Sequence, residues 1–261
     1  MNVSVFASGS GGNCLLISGA GTNILIDAGI SMRRVEKSLA RYNLTMEQLG
    51  GVLITHEHSD HVSGLQMLCR HHKFKIFAPY TVANRLIGRI PECEELMNII
   101  PVGEDFYIGG LKLRAFHTPH DTDESVGYRA EGEGVFAIST DMGKVTAEVE
   151  NGLLGADTVL IEANHDENML LSGPYPPYLK RRILSDYGHL SNENCAFLAK
   201  KLSENGTKRI ILGHLSRKNN SPELTMSASG QLLQGTGTRL YLAPVFGCLE
   251  IPVGGELICG E

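Results

Sequence analysis

The chain lacks tryptophan, and aromatic side chains make up only 6% of its 261 residues. It also lacks any uninterrupted apolar run of about 18 residues, the length that suggests a membrane-spanning helix. Its start, residues 1–6, has neither the basic flank nor the long apolar core of a signal peptide. The lack of signal-peptide features and of a long apolar run predicts a protein that stays in the cytoplasm and does not enter a membrane.

Two further absences concern cysteine pairs and positive charge. The six cysteines form no Cys-x-x-Cys pair and show no regular spacing, so they are expected to be reduced thiols rather than a disulfide framework or a zinc knuckle; they occupy positions 14, 69, 93, 195, 248 and 259. The formal net charge is −6, which argues against a chain that coats nucleic acid indiscriminately. A local basic groove remains compatible with that total, because the field in a cleft depends on charge distribution.

What the chain does contain is a dense group of metal-ligand side chains after a short apolar run. Residues 51–54 (Gly-Val-Leu-Ile) read as a buried strand, and residues 55–61 (Thr-His-Glu-His-Ser-Asp-His) follow it directly. His56 and His58 face the same side of an extended loop, so both can bind one ion. Asp60 and His61, at the mouth of a helix starting at about His61, would face a second ion or a metal-bound water. The plainer interpretation is a solvated polar loop.

The pattern Thr-His-x-His-x-Asp-His-x-x-Gly-Leu resembles the signature of the metallo-β-lactamase fold superfamily, in its hydrolytic and often two-metal branch. That resemblance implies an α/β fold, the four-layer αββα sandwich, in one hydrolase domain over residues 1–261. The composition fits such a domain, with 42% hydrophobic and 20% charged residues. Asp27, at the end of another apolar run, is expected to be a hydrogen-bonding residue beneath the metal loop rather than a ligand.

The resemblance also implies the remaining metal ligands, at the ends of later strands. Residues 117–121 (His-Thr-Pro-His-Asp) precede Ser-Val-Gly-Tyr, and alignment with either the phosphodiesterase or the glyoxalase II branch selects His120, leaving His117 as a core histidine or one behind the ligands. Asp141 matches the bridging aspartate, with a helix-capping role as the alternative, and His214 matches the final metal histidine. One ion would take His56, His58 and His120, the other Asp60, His61 and His214, with Asp141 between them.

Candidates for substrate contacts lie in loops beside these ligands. His165 could hold a metal or a substrate phosphate, and His189 resembles the histidine that protonates the leaving oxygen, with a core histidine as its alternative. Residues 175–182 combine aromatics, prolines and cations, which suits either nucleic acid or an ordinary charged helix. The Gly-rich loop 8–13 is either a tight turn or a phosphate cradle. The expected substrate contacts are Ser10, Asn13, His165, Lys180, Arg181, Arg217, Asn219 and Asn220.

Within the superfamily, the motifs spread over residues 3–220 resemble the bacterial YycJ/WalJ-type exonucleases. The resemblance implies a 5′→3′ exonuclease that acts on DNA, with two divalent ions (Zn or Mn, with Fe as a third choice) and a bridging hydroxide as nucleophile. Asp60 and His189 are expected to take part directly in catalysis. Three alternatives remain: a small-molecule phosphodiesterase with a narrow cleft; a glyoxalase II-like thioester hydrolase, which the Ser-Val-Gly-Tyr stretch disfavours; and a non-catalytic regulatory protein that keeps the metal site for stability.

Overall fold

Two seven-stranded sheets form the middle of the computed structural model, which describes residues 1–254. The end of the predicted domain, with Cys259, lies outside the described residues. The strands are β1 (Asn2–Ala7), β2 (Cys14–Gly19), β3 (Thr22–Ile26), β4 (Gly51–Leu53), β5 (Ile76–Ala78), β6 (Met97–Ile99), β7 (Asp105–Ile108), β8 (Leu111–His117), β9 (Val126–Glu131), β10 (Val135–Ser139), β11 (Thr158–Glu162), β12 (Arg209–Gly213), β13 (Arg239–Leu242) and β14 (Leu249–Pro252).

Both sheets share one pattern of strand directions. The first has the order β14-β1-β2-β3-β4-β5-β6 and the second β7-β8-β9-β10-β11-β12-β13. In each, the first three pairings are antiparallel and the last three parallel. Because parallel strands end at the same edge of a sheet, the loops that follow β3, β4, β10, β11 and β12 can converge there.

The helices cover the outer faces of the two sheets. They are α1 (Met32–Ala40), α2 (Ser59–Val62), α3 (Leu65–His71), α4 (Tyr80–Arg89), α5 (Ala147–Leu153), α6 (Glu167–Ser172), α7 (Pro177–Ile183), α8 (Asn192–Glu204) and α9 (Pro222–Leu232), with short 3-10 helices at Met46–Gln48 and Pro91–Leu96. None of the helices described is long and apolar enough to cross a membrane.

Three buried apolar clusters hold these layers together. The central one joins side chains of both sheets, including Ile17 and Ile24 of the first and Tyr128 and Phe136 of the second. The other two pack α1, α3 and α4 on the first sheet and α5 and α8 on the second. Burying each large apolar side chain contributes roughly 1.5–3 kcal/mol. The predicted four-layer αββα sandwich is confirmed.

One predicted boundary is wrong at the metal loop. The helix begins at Ser59 rather than at about His61, so Asp60 and His61 lie within its first turn. Ser63 and Gly64 separate α2 from α3. Gly64 passes close to the loop after β3, where a Cβ would lie 2.0 Å from the carbonyl oxygen of Ile30. Only glycine fits at this approach, and the chain changes direction there.

Candidate metal centre

The loop after β4 is held from below by a buried carboxylate. Asp27 accepts hydrogen bonds from the backbone nitrogen of Thr55 at 2.9 Å and from Nδ1 of His61 at 2.7 Å. As predicted, Asp27 is a hydrogen-bonding residue beneath the loop. With Nδ1 donating to Asp27, the Nε2 atom of His61 is left to face the centre.

The first group of possible ligands contains His56, His58 and His120. Each offers one ring nitrogen, and these nitrogens lie within 4.8 Å of one another. His120 Nε2 is 3.2 Å from His58 Nδ1, and His56 Nε2 is buried without a hydrogen-bond partner. Burial, together with the neighbouring imidazoles, lowers the pKa of His56 well below its ordinary value, so this ring is neutral and able to bind a cation.

A second group lies beside the first and contains Asp60, His61, Asp141 and His214. His61 Nε2 is 3.0 Å from Asp141 Oδ2, and His214 Nε2 is 3.4 Å from Asp60 Oδ2. The other oxygen of Asp141 lies 3.8 Å from His120 Nε2 in the first group. Asp141 therefore stands between the two groups, and the seven side chains predicted as ligands are all brought to one edge of the sandwich.

Sequence reasoning missed the role of Glu162, the last residue of β11. Its Oε1 lies 2.7 Å from Nδ1 of His189 and 2.9 Å from Nδ1 of His214, and Oε2 accepts from the backbone nitrogen of Met142. Burial raises the pKa of Glu162, but His189 and His214 outweigh it and lower that pKa to about 2. A carboxylate directly after the apolar run of residues 159–161 was the available signal.

These groups fit a divalent metal centre. They combine imidazole nitrogens with carboxylates, the donor set that suits Zn, Mn or Fe. The buried, unpartnered His56 Nε2 is an atom that a cation would satisfy. Without a cation, burial lowers the pKa of His214, but the charge of Asp141 and the other carboxylates raises it well above the ordinary value. Such clustered negative charge attracts positive charge to the same place.

A small cavity opens next to His189. Its volume is about 140 Å³, and its lining includes Ser10, Tyr175, Arg182, His189 and Ser216. Arg182 bonds through Nε to Asp121, whose other oxygen is 3.4 Å from His120 Nε2. Asp121 thus links this cavity to the first ligand group, a contact that the sequence did not predict.

Several predicted substrate contacts are placed differently from the prediction. Asn219 and Asn220 are buried, and the Nδ2 of Asn220 donates to the carbonyl oxygens of Ala163 and Asn164. Its donors are occupied inside the protein, which contradicts a phosphate grip by Asn220. Lys180 donates to the carbonyl oxygen of Leu171, and the cation lining the cavity is Arg182 rather than Lys180 or Arg181.

The remaining candidates, Ser10, Asn13, His117 and His165, differ in their exposure and in their hydrogen-bond partners. Asn13 is buried, with Nδ2 2.9 Å from His61 Nε2, whereas Ser10 lines the cavity. His165 is 1% exposed and both its ring nitrogens lack partners. His117 is exposed and paired with Glu148 through Nδ1 at 3.0 Å, so its prediction as a core histidine or one behind the ligands is wrong.

The Gly-rich loop 8–13 is the tight turn that its composition suggested. Gly9 and Gly12 have φ values of 141° and 143°, and a Cβ at Gly12 would lie 2.4 Å from the carbonyl oxygen of Gly29. Glycine is therefore required at Gly12 by both conformation and space. That this loop binds a phosphate stays a prediction. Ser10 is the residue of the loop that lines the cavity beside His189.

Two facing mixed sheets with histidines and carboxylates gathered at one edge define a protein of the metallo-β-lactamase class. Residues 22–215 match the model of the beta-lactamase superfamily domain, and the chain belongs to that superfamily.

Individual proteins extend this similarity beyond the shared domain. The chain is 36% identical over 241 residues to exodeoxyribonuclease YycJ of Bacillus anthracis, covering 91% of this chain and 90% of that protein. It is 37% identical over 238 residues to exodeoxyribonuclease WalJ of Streptococcus pneumoniae, covering 88% of each. The crystal structure of Zn²⁺-bound PqqB from Methylobacterium extorquens superposes with a TM-score of 0.72 at 17% identity, over 95% of this chain and 99% of that chain. The last similarity concerns the fold alone.

Proposed function

We propose that this protein is a metal-dependent 5′→3′ exonuclease that hydrolyses phosphodiester bonds of DNA at a centre of two divalent ions, Zn or Mn, with Fe as a third choice. The observation that carries the proposal is the pair of adjacent ligand groups with Asp141 between them. The two exodeoxyribonucleases that match most of the chain support the same reaction. Action on cellular DNA requires the cytoplasm, the location predicted from the sequence.

We propose that the ligand groups divide between the two ions in the way the sequence analysis expects. His56, His58 and His120 would hold one ion, and Asp60, His61 and His214 the other, with Asp141 within reach of both. Bound there, divalent ions would supply polarisation of the phosphoryl oxygens and activation of water. Asp27 and Glu162 fix the rings of His61 and His214 from behind through their Nδ1 atoms. Ring orientation is thus set before any ion binds, which lowers the cost of binding.

His189 is suited to protonate the leaving oxygen. Burial lowers its pKa, but the negative charge of Glu162 at Nδ1 dominates and raises the pKa above the ordinary value. A histidine with a raised pKa stays protonated near neutral pH and can donate. Because Nδ1 is held by Glu162, the Nε2 atom is the one available for the proton transfer.

The test is a nuclease assay with defined ends and matched variants. Metal-loaded protein is incubated with linear duplex labelled at either 5′ or 3′ ends, and we expect mononucleotides to be released from the 5′ end. Chelator should abolish the reaction, and Asp141→Asn should reduce it severely. His117→Gln, an exposed position away from the ligands, is the control expected to retain activity. Hydrolysis confined to cyclic or small phosphodiesters, or of thioesters, would contradict the proposal.

A further inference from the structure

A strip of cations and aromatic rings runs from the cavity over the surface. Lys218 Nζ lies 5.6 Å from the ring centroid of Tyr175, which lines the cavity beside His189. The next residue back, Arg217, has its guanidinium carbon 5.4 Å from the ring centroid of Phe246. Arg34 of α1 lies 4.0 Å from that same ring. We call these five residues the cation–aromatic strip.

The cations of the strip have no carboxylate partner among the residues that the structure describes. Arg34, Arg217 and Lys218 are exposed, and within residues 1–254 none of them forms an ion pair. Elsewhere, Arg70, Arg114 and other arginines pair with carboxylates. The chain as a whole has a net charge of −6. The strip is therefore a local concentration of positive charge in a protein that is negative overall.

The aromatic rings hold these cations in defined positions. A guanidinium within about 6 Å of an aromatic centroid is attracted to the ring face. Phe246 is 41% exposed, so its ring lies at the surface of the protein rather than in the core. Arg217 and Phe246 both lie close to Gly11, where a Cβ would be 2.8 Å from Nη2 of Arg217 and 3.4 Å from Cζ of Phe246. Ordered cations lose less rotational freedom when they bind an anion.

The strip is continuous with the metal centre. Arg217 follows His214 by three residues, and Gly11 belongs to the loop whose Asn13 lies 2.9 Å from His61 Nε2. A polymer with one negative charge per unit and flat bases matches alternating cations and rings. We propose that the cation–aromatic strip binds the single-stranded DNA next to the scissile bond, with Arg34 and Phe246 at its far end. This inference rests on the proposed function and assigns Arg34, Phe246 and Tyr175 to the substrate.

The test uses substrate length and salt dependence with charge-matched variants. Arg34→Gln is compared with Arg33→Gln, its exposed neighbour on α1, which contacts neither ring of the strip. On a single-stranded DNA 12-mer, Arg34→Gln should raise KM roughly three- to fivefold with kcat unchanged. It should also reduce the slope of log affinity against log salt by about 0.7, one phosphate contact. On a dinucleotide, too short to reach the far end, Arg34→Gln should match the wild type.

Phe246→Leu separates ring-dependent positioning from charge. It keeps all three cations, so a smaller rise in KM on the 12-mer with no change on the dinucleotide is expected. Equal effects of Arg33→Gln and Arg34→Gln, or equal effects on both substrate lengths, would overturn the proposal.

A binding measurement keeps this inference distinct from the proposed activity. Affinity for a phosphorothioate-linked DNA 12-mer is measured by fluorescence anisotropy with metal-loaded protein. Weakened binding by Arg34→Gln but not Arg33→Gln would support the strip even if the wild type cleaved no DNA. Cleavage of DNA with identical binding by both variants would reject the strip and leave the exonuclease proposal standing.

Discussion

The Oε1 atom of Glu162 lies 2.7 Å from Nδ1 of His189, and the same oxygen also contacts Nδ1 of His214. One buried carboxylate therefore orients both the proposed proton donor and a proposed metal ligand. Glu162 is fully buried, which by itself would raise its pKa. The two histidines outweigh burial and lower the pKa of Glu162 to about 2, so the carboxylate stays ionised.

Replacing Glu162 with glutamine should reduce both catalysis and metal affinity. The amide keeps the shape but loses the charge that raises the pKa of His189, and such supporting contacts are typically worth about 10–100-fold. We expect kcat to fall by that order, and its alkaline limb to move to lower pH, because His189 would lose its proton earlier. A pH–rate profile of Glu162→Gln with an unmoved alkaline limb would contradict this role.

Loss of Asp141 should disturb both ion positions, whereas loss of His56 should disturb one. Asp141 lies within reach of both ligand groups, and His56 belongs to only one of them. We expect elemental analysis of purified protein to give about two ions per chain in the wild type, about one in His56→Ala and fewer than one in Asp141→Ala. If Asp141→Ala retained two ions per chain, Asp141 would not be a ligand shared by both ions.

Asp27→Asn should destabilise the loop after β4. Asp27 accepts from Thr55 and His61 while buried, and hydrogen bonds to a charged group contribute roughly 1.5–3 kcal/mol. We expect a decrease of that size in the free energy of unfolding by urea, with weaker metal binding because His61 loses its fixed orientation. The exposed Asp186→Asn is the matched control and should unfold as the wild type does.

Asn220→Ala should affect stability and leave substrate binding intact. The Asn220 side chain donates to two backbone carbonyls and pairs with Asn192 in the interior. Its removal leaves buried acceptors without partners, at a cost of about 1–3 kcal/mol. We expect a lower unfolding free energy with KM for DNA unchanged. A large rise in KM without loss of stability would restore Asn220 as a phosphate contact.

The ion pairs of His72 should make stability depend on pH. Burial lowers the pKa of His72, but hydrogen bonds to Glu47 and Glu36 raise it above its ordinary value. A raised folded-state pKa stabilises the protein below about pH 6.5, and that contribution is lost as pH rises through the folded value. His72→Gln should therefore lower stability at pH 6 more than at pH 8.5.

Urea unfolding at the two pH values measures this difference. His71→Gln, the exposed neighbour that forms neither ion pair, is the control and should show the same small effect at both. An equal loss at pH 6 and pH 8.5 in His72→Gln would show that packing, not charge, is responsible.

The layers were predicted through the family resemblance that the motifs carry, whereas local signals predicted single elements. Apolar runs report burial residue by residue, and the run over residues 51–54, predicted as a buried strand, forms β4 at Gly51–Leu53. The metal loop was recognised because four ligand side chains, three histidines and one aspartate, fall within six positions. The break at Gly64 was missed because it depends on Ile30, which is distant in sequence.

By itself, the sequence determined the residue types that gather at the edge of the sandwich, and its motifs carried the resemblance that implied the αββα fold. Only the tertiary structure decided which side chains meet there. Glu162 gained two imidazole partners from separate loops, Arg182 rather than Lys180 lines the cavity, and Asn220 turned inward. The physical reason is that motifs and apolar runs consist of residues close together in the sequence. The partner of a buried charge or a surface cation is instead set by strands and loops that come together from distant positions in the chain.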